Sequence, residues 1–146
     1  MPAKPLIPAF LCLGAVLSLP GTGLANEDDH LRIRCARVDT SNQCTLYSPS
    51  LVELFAHPNR YQGKRVRVWG YVRLEFETTA IYLSKDAHDA RVTQEALWIR
   101  LLTSYAASEK SRSGPAYVEG IFDGRERGHF SLYVGGLVDV KAVTFR

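Results

Sequence analysis

From Lys64 to Glu77 the side chains alternate with a period of two. Even positions carry Val66, Val68, Gly70, Val72, Leu74 and Phe76; odd positions carry Arg65, Arg67, Trp69, Tyr71, Arg73, Glu75 and Glu77. Successive side chains of a strand point to opposite faces, so this run predicts a β-strand with one apolar and one polar-aromatic face. It is longer than most strands, and Gly70 in its middle is the expected site of a bend. Shorter strand patterns follow at Ala80–Ser84, Ala96–Leu102, Ala116–Phe122, Phe130–Gly135 and Leu137–Thr144. The last two read as continuous through Gly135-Gly136. Between them lie Lys85–Glu95, with room for one helical turn, a polar loop at Thr103–Gly114 and a hairpin turn at Asp123–Gly128.

One helix precedes the strands. Ser48 or Ser50 can cap it, Pro49 suits a first turn, and Ser50 with Glu53 has capping-box spacing. Leu51, Leu54 and Phe55 share one face. Pro58 ends the helix by lacking an N–H and disfavouring helical geometry at His57, and residues 58–63 read as a turn. A long first strand, four or five shorter antiparallel ones and a helix at one end describe a mainly β chain. The expected architecture is a small OB-like antiparallel barrel of five to six strands with one N-terminal α-helix. The long strand favours a barrel over an open sheet, because it can serve both halves of a closed one.

The N-terminus follows different rules. Met1–Ala25 has one lysine (Lys4), an apolar run from Leu6 to Leu19, and then small or helix-breaking residues with Gly23 and Ala25 in front of a cleavage point. This is the build of a secretory signal peptide. The apolar run is shorter than the roughly 20 residues that cross a bilayer, so no membrane span is expected after cleavage. Cys12 as a lipid-attachment site is disfavoured by Leu11, which stands where that signal needs a small residue. Expected localisation is therefore periplasmic or secreted. Removal of the leader leaves 121 residues with 17 basic and 15 acidic side chains, one domain at Ser48–Arg146 behind an extension at Asn26–Tyr47. Cys35 and Cys44 are an even pair in an oxidising compartment, with too few companions for a metal site and the wrong spacing for a redox motif, and are expected to form a structural disulfide in the extension.

The segments from His57 to Asp89, Ala96 to Leu101 and Tyr117 to Val140, with the opening pattern Pro58, Tyr61, Gly63, Lys64, Val66, Val68, Gly70 and Tyr71, resemble a family of small exported bacterial OB-fold-like domains. The resemblance implies an OB-like barrel. It brings neither an activity nor functional residues with it.

Catalytic motifs are missing: there is no GxSxG, GxxxxGK[ST], HExxH or paired CxxC. His88 with Asp86 and Asp89, joined by His129, is the combination a metal-dependent enzyme would draw on, although solvated helix-capping aspartates explain the local pattern as well. Glu75 and Glu77 point the same way from one strand, unlike glycosidase carboxylates that flank a bond from opposite sides. No cofactor is implied. Binding has more behind it. The outer face of the long strand presents Arg65, Arg67, Trp69, Tyr71 and Arg73, and a meander would add Tyr82, Trp98 and Arg100. Rings stack on sugars or bases and guanidinium groups hold carboxylate or phosphate in a bidentate fashion. The same side chains would otherwise pack beneath the helix and the extension. The expected function is a non-enzymatic binding module for an anionic or carbohydrate ligand or a protein, with an envelope polymer, an oligosaccharide or an envelope protein ranked above nucleic acid. A protein-interaction or inhibitor module without a small ligand is the alternative.

Overall fold

The computed structural model describes residues 34–75, 78–101 and 111–146. The predicted leader with Cys12, the start of the extension, Phe76, Glu77, Leu102 and the loop through residue 110 lie outside the described residues.

The first described segment is a hairpin of β1 (Cys35–Val38) and β2 (Cys44–Tyr47), closed by a Cys35–Cys44 disulfide with the Cα atoms 5.8 Å apart. Asp39 shapes its turn, accepting hydrogen bonds from the Ser41 and Gln43 N–H groups and the Ser41 hydroxyl. Those donors hold its carboxyl below the usual value, the Ser41 hydroxyl most of all. The expected helix follows as α1 (Leu51–Ala56), with Ser50 at its N-cap accepting the Glu53 N–H at 3.1 Å. Pro49 lies before the cap, not in the first turn as its helical preference suggested, and is buried there. Pro58 ends α1 and opens a second short helix, α2 (Pro58–Tyr61), where its fixed φ suits the first position. Gly63, at φ +72, turns the chain into the first barrel strand.

That strand is β3 (Arg65–Leu74), and its alternation holds throughout: Val66, Val68, Gly70, Val72 and Leu74 are buried and the odd positions face outward. It pairs without a register break along β6 (Arg112–Asp123), from Arg65↔Ile121 to Leu74↔Arg112. β6 therefore starts before the expected Ala116, because the far end of β3 offers it partners. The other edge of β3 is shared. β2 takes the beginning at Tyr47↔Val66, and β4 (Ala80–Tyr82) takes the end at Tyr71↔Tyr82 and Arg73↔Ala80. Gly70 lies where those neighbours converge. A Cβ there would stand 2.5 Å from the Tyr82 carbonyl oxygen, 2.7 Å from Ile81 and 2.9 Å from Leu51, so the position needs glycine for close approach.

After β4 come α3 (Lys85–Asp89), capped by Ser84, a 3-10 turn at Thr93–Glu95, and β5 (Ala96–Ile99). The final strand, β7 (Gly135–Phe145), pairs parallel with β5 and antiparallel with β6. The circuit β3-β4-β5-β7-β6-β3 closes a five-stranded OB-like barrel. A register shift opposite Gly120, with Asp139 at φ 45, bends β7 as closure requires. The run Phe130–Gly135 is not a strand. Gly128, Phe130 and Ser131 have positive φ, so residues 129–131 form a tight turn, and β7 begins only at Gly135. Val66, Val68, Val72, Ile81, Leu97, Ile99, Val118, Phe122 and Leu137 fill the barrel, while Leu51 and Leu54 of α1 and Tyr61 of α2 belong to the same core.

Candidate functional site

The outer residues of β3 fall into two neighbourhoods. At its beginning, Trp69 stacks on Tyr117 of β6 with centroids 4.7 Å apart, and the Arg67 guanidinium lies 4.6 Å over the Tyr117 ring. Arg146 reaches the same pair, at 5.8 Å from Trp69 and 5.6 Å from Tyr117. Arg65 is engaged elsewhere, in an ion pair with Asp139 in the bent part of β7. At the end of β3, Tyr71 and Arg73 adjoin β4 and β5. α3 packs on this second neighbourhood: His88 lies on Tyr71 at 4.7 Å and meets Tyr82 edge-on at 5.4 Å. The eight expected binding residues therefore do not make one surface.

Beyond α3 lies an open cleft of about 640 Å³, inside the range typical of small-ligand sites. Tyr82 and Trp98 contribute from β4 and β5, and Arg73 from β3. Thr78 lies in the loop before β4, while Arg91 and Thr93 lie between α3 and β5. The remaining wall is the turn before β7, with His129, Phe130, Leu132 and Tyr133. Trp98 is held on several sides: His129 meets it edge-on at 5.2 Å and Tyr133 packs at 5.4 Å. Gly128 sits so close that a Cβ there would come within 2.6 Å of the ring. Arg100, the last of the expected eight, points away from the cleft but steadies this turn, donating to Glu126 at 2.8 Å.

The electrostatics follow from burial. Arg73 is 17% exposed and forms an ion pair with Glu75. That bond holds the Glu75 carboxyl below its ordinary value and raises the Arg73 guanidinium above its own. Among the described residues, the Arg73 Nε is a buried side-chain atom without a hydrogen-bond partner. Such orphans are rare in native proteins. Burial, followed by the neighbouring Tyr82, pushes the Tyr133 hydroxyl above the usual tyrosine range, so it remains a neutral hydroxyl.

Neither a family model nor a curated protein nor a solved structure matches the chain.

The cleft rim is where the backbone departs most from ordinary geometry. Arg91 (φ 57), Phe130 (φ 55) and Ser131 (φ 55) all adopt the left-handed region, which costs about 1–2 kcal/mol per non-glycine residue. Phe130 is also 91% exposed and Leu132 is 52% exposed. The turn is loosely tied, its backbone hydrogen bonds from Ser131, Leu132, Tyr133 and Val134 measuring 3.3–3.4 Å. Thr78, Arg91, Thr93, Phe130, Leu132 and Tyr133 were not among the expected binding residues. The one available signal was glycine at 128 ahead of closely spaced aromatic residues at 129, 130 and 133. The metal combination is not assembled: His88 and Asp89 bond to each other on α3, whereas His129 lies against Trp98. Among the described residues no group of three His, Cys, Asp or Glu side chains is placed to hold a metal ion, and no helix is long and apolar enough to cross a membrane.

Proposed function

We propose that this chain is an exported, non-enzymatic binding module whose anionic or carbohydrate ligand occupies the cleft over β4 and β5. The observation that carries this reading is the place of the cleft. It lies on the second and third strands of the barrel circuit, between the loop that joins the first two strands and the loop that joins the last two, the surface OB-like barrels use for oligonucleotides and oligosaccharides. The partly exposed Trp98 supplies stacking surface, with the buried Tyr82 beneath it in the wall, and Arg73 and Arg91 supply charge-assisted hydrogen bonds. The test uses a Trp69→Phe background, in which Trp98 is the remaining tryptophan. Its emission is titrated with tetragalacturonate, hexadeoxythymidylate and 8-anilinonaphthalene-1-sulfonate. A saturable response to any of them, weakened about tenfold or more by Arg73→Ala, is the expected result, since one charge-assisted bond is worth that much. No response from all three, or one indifferent to Arg73, overturns the reading.

A protein-interaction role draws on the other neighbourhood. Trp69 is 43% exposed beside Tyr117, Arg67 and Arg146, the residue types that dominate interface hot spots. If that role is the principal one, Arg67→Ala with Trp69→Ala abolishes capture of an envelope protein by in-cell crosslinking, while Arg73→Ala leaves capture intact.

A further inference from the structure

Resting on the cleft as the ligand site, we infer that its ligand is an amphipathic organic anion, an apolar body with a single acidic group, and that Phe130 closes on that body. The first support is the kind of polar group in the wall. Carbohydrates present many hydroxyls, which proteins answer with carboxylates and amides. Among the described residues no aspartate, asparagine, glutamine or glutamate lines the cleft, and the adjacent Glu75 is held by Arg73. Tyr82 and Tyr133 are buried, at 1% and 5% exposed, and offer a ligand little of their hydroxyls. What remains for a ligand among the described residues is the guanidinium groups of Arg73 and Arg91 and the hydroxyls of Thr78 and Thr93. Glu75 already offsets one of the two positive charges, so a single acidic group completes the balance.

The second support is Phe130. A bulky residue in the left-handed region is a marked outlier, and such outliers gather at functional sites. Stability alone favours glycine there, and a 91%-exposed ring, tilted against its neighbour His129 with centroids 6.5 Å apart, adds little packing to the free protein. Its long backbone bonds let the turn move at small cost. An apolar body resting against Trp98 and Tyr133 would receive Phe130 as its outer cover.

The experiment uses the Trp69→Phe protein and energy transfer from Trp98 to bound 8-anilinonaphthalene-1-sulfonate, an aromatic body with one sulfonate. One saturable site is expected. N-phenyl-1-naphthylamine, which has the same aromatic body without the acid, should bind at least about tenfold more weakly, and inorganic sulfate should not displace the dye. Phe130→Gly should weaken dye binding about tenfold while leaving the melting temperature equal or higher, because glycine relieves the backbone and removes little packing. Dodecanoate distinguishes two sources of the same chemistry: if it displaces the dye the body is an acyl chain, and if it does not the body is a ring system. Equal affinity for the neutral amine, or dye binding unchanged by Phe130→Gly, overturns the inference. Displacement of the dye by tetragalacturonate at lower concentration also overturns it, yet preserves the cleft as the ligand site. If nothing binds beside Trp98, both readings fall.

Discussion

Gly128→Ala tests whether Trp98 is seated where the cleft requires. The position has φ +62, so any Cβ meets the left-handed penalty of about 1–2 kcal/mol. It also has no space: the Cβ would lie 2.6 Å from Trp98 Cδ2 and 2.7 Å from Cε3 and Cγ. Ordinary carbon contacts need about 3.5 Å, so the ring has to move by nearly 1 Å between Tyr133 and His129. Overpacking of this kind costs about 1–3 kcal/mol, for a combined loss of roughly 2–5 kcal/mol. For a domain of this size each kcal/mol lowers the melting temperature by about 4 °C. Gly63→Ala is the control, since Gly63 has φ +72 but no atom within 4 Å of its would-be Cβ, and its change reports the backbone penalty alone. Circular dichroism melts of the two variants, with Trp98 emission followed in the Trp69→Phe background, give both the energies and the ring's displacement. Should Gly128→Ala be no more destabilising than Gly63→Ala, Trp98 does not rest on Gly128 and the described wall of the cleft is wrong.

Two further predictions concern stability. The Cys35–Cys44 bridge closes a loop of sequence separation 9. Loop-closure entropy then assigns it about 2.6 kcal/mol at most. Leu46 and Pro49 are buried, so the hairpin unfolds with the barrel, and Cys35→Ser with Cys44→Ser should lower the denaturant midpoint. An unchanged midpoint would mean that the hairpin opens on its own. The second is pH-dependent. The Arg73 bond lowers the folded-state Glu75 value below its ordinary 4.5, so the stability it contributes is fully present above pH 4.5 and lost as pH falls through the lower folded value. Glu75→Gln should therefore melt below the parent at neutral pH and match it in strong acid. The same change frees Arg73, so anionic dye binding at neutral pH should tighten; weaker binding would show that Glu75 positions Arg73 and does not compete for it.

Local pattern carried much of the fold. The inward row of β3, the Ser50 cap and the strand order through the first meander all rest on interactions within a few residues, and periodicity reports those directly. The disulfide followed from the even cysteine pair and the compartment expected from the leader. The turn before β7 shows where pattern fails. Phe130, Leu132 and Val134 alternate like a strand, yet Phe130 and Leu132 are exposed and the intervening Tyr133 is buried. Left-handed backbone at Phe130 and Ser131 inverts the alternation, and neither residue type announces that conformation. Four of the ten described lining residues belong to that turn, so that part of the wall was hidden for the same reason.

The division of the outer face has a different origin, already contained in the argument for a barrel. A strand long enough to close the sheet must serve both halves, and β3 does so by giving its beginning to β2 and its end to β4 while β6 follows it throughout. Its outward residues then face different surroundings at its two ends. Arg67 and Trp69 find Tyr117 and Arg146, whereas Tyr71 and Arg73 find α3, β4 and β5. With strand twist accumulating along its ten residues and His88 set over Tyr71, a ligand cannot lie along the whole row. Closure of the barrel and a single continuous binding face on β3 are therefore competing demands, and here closure prevails. The cleft wall runs across the strands, from Arg73 past the buried Tyr82 to Trp98, in a direction that alternation along one strand does not encode.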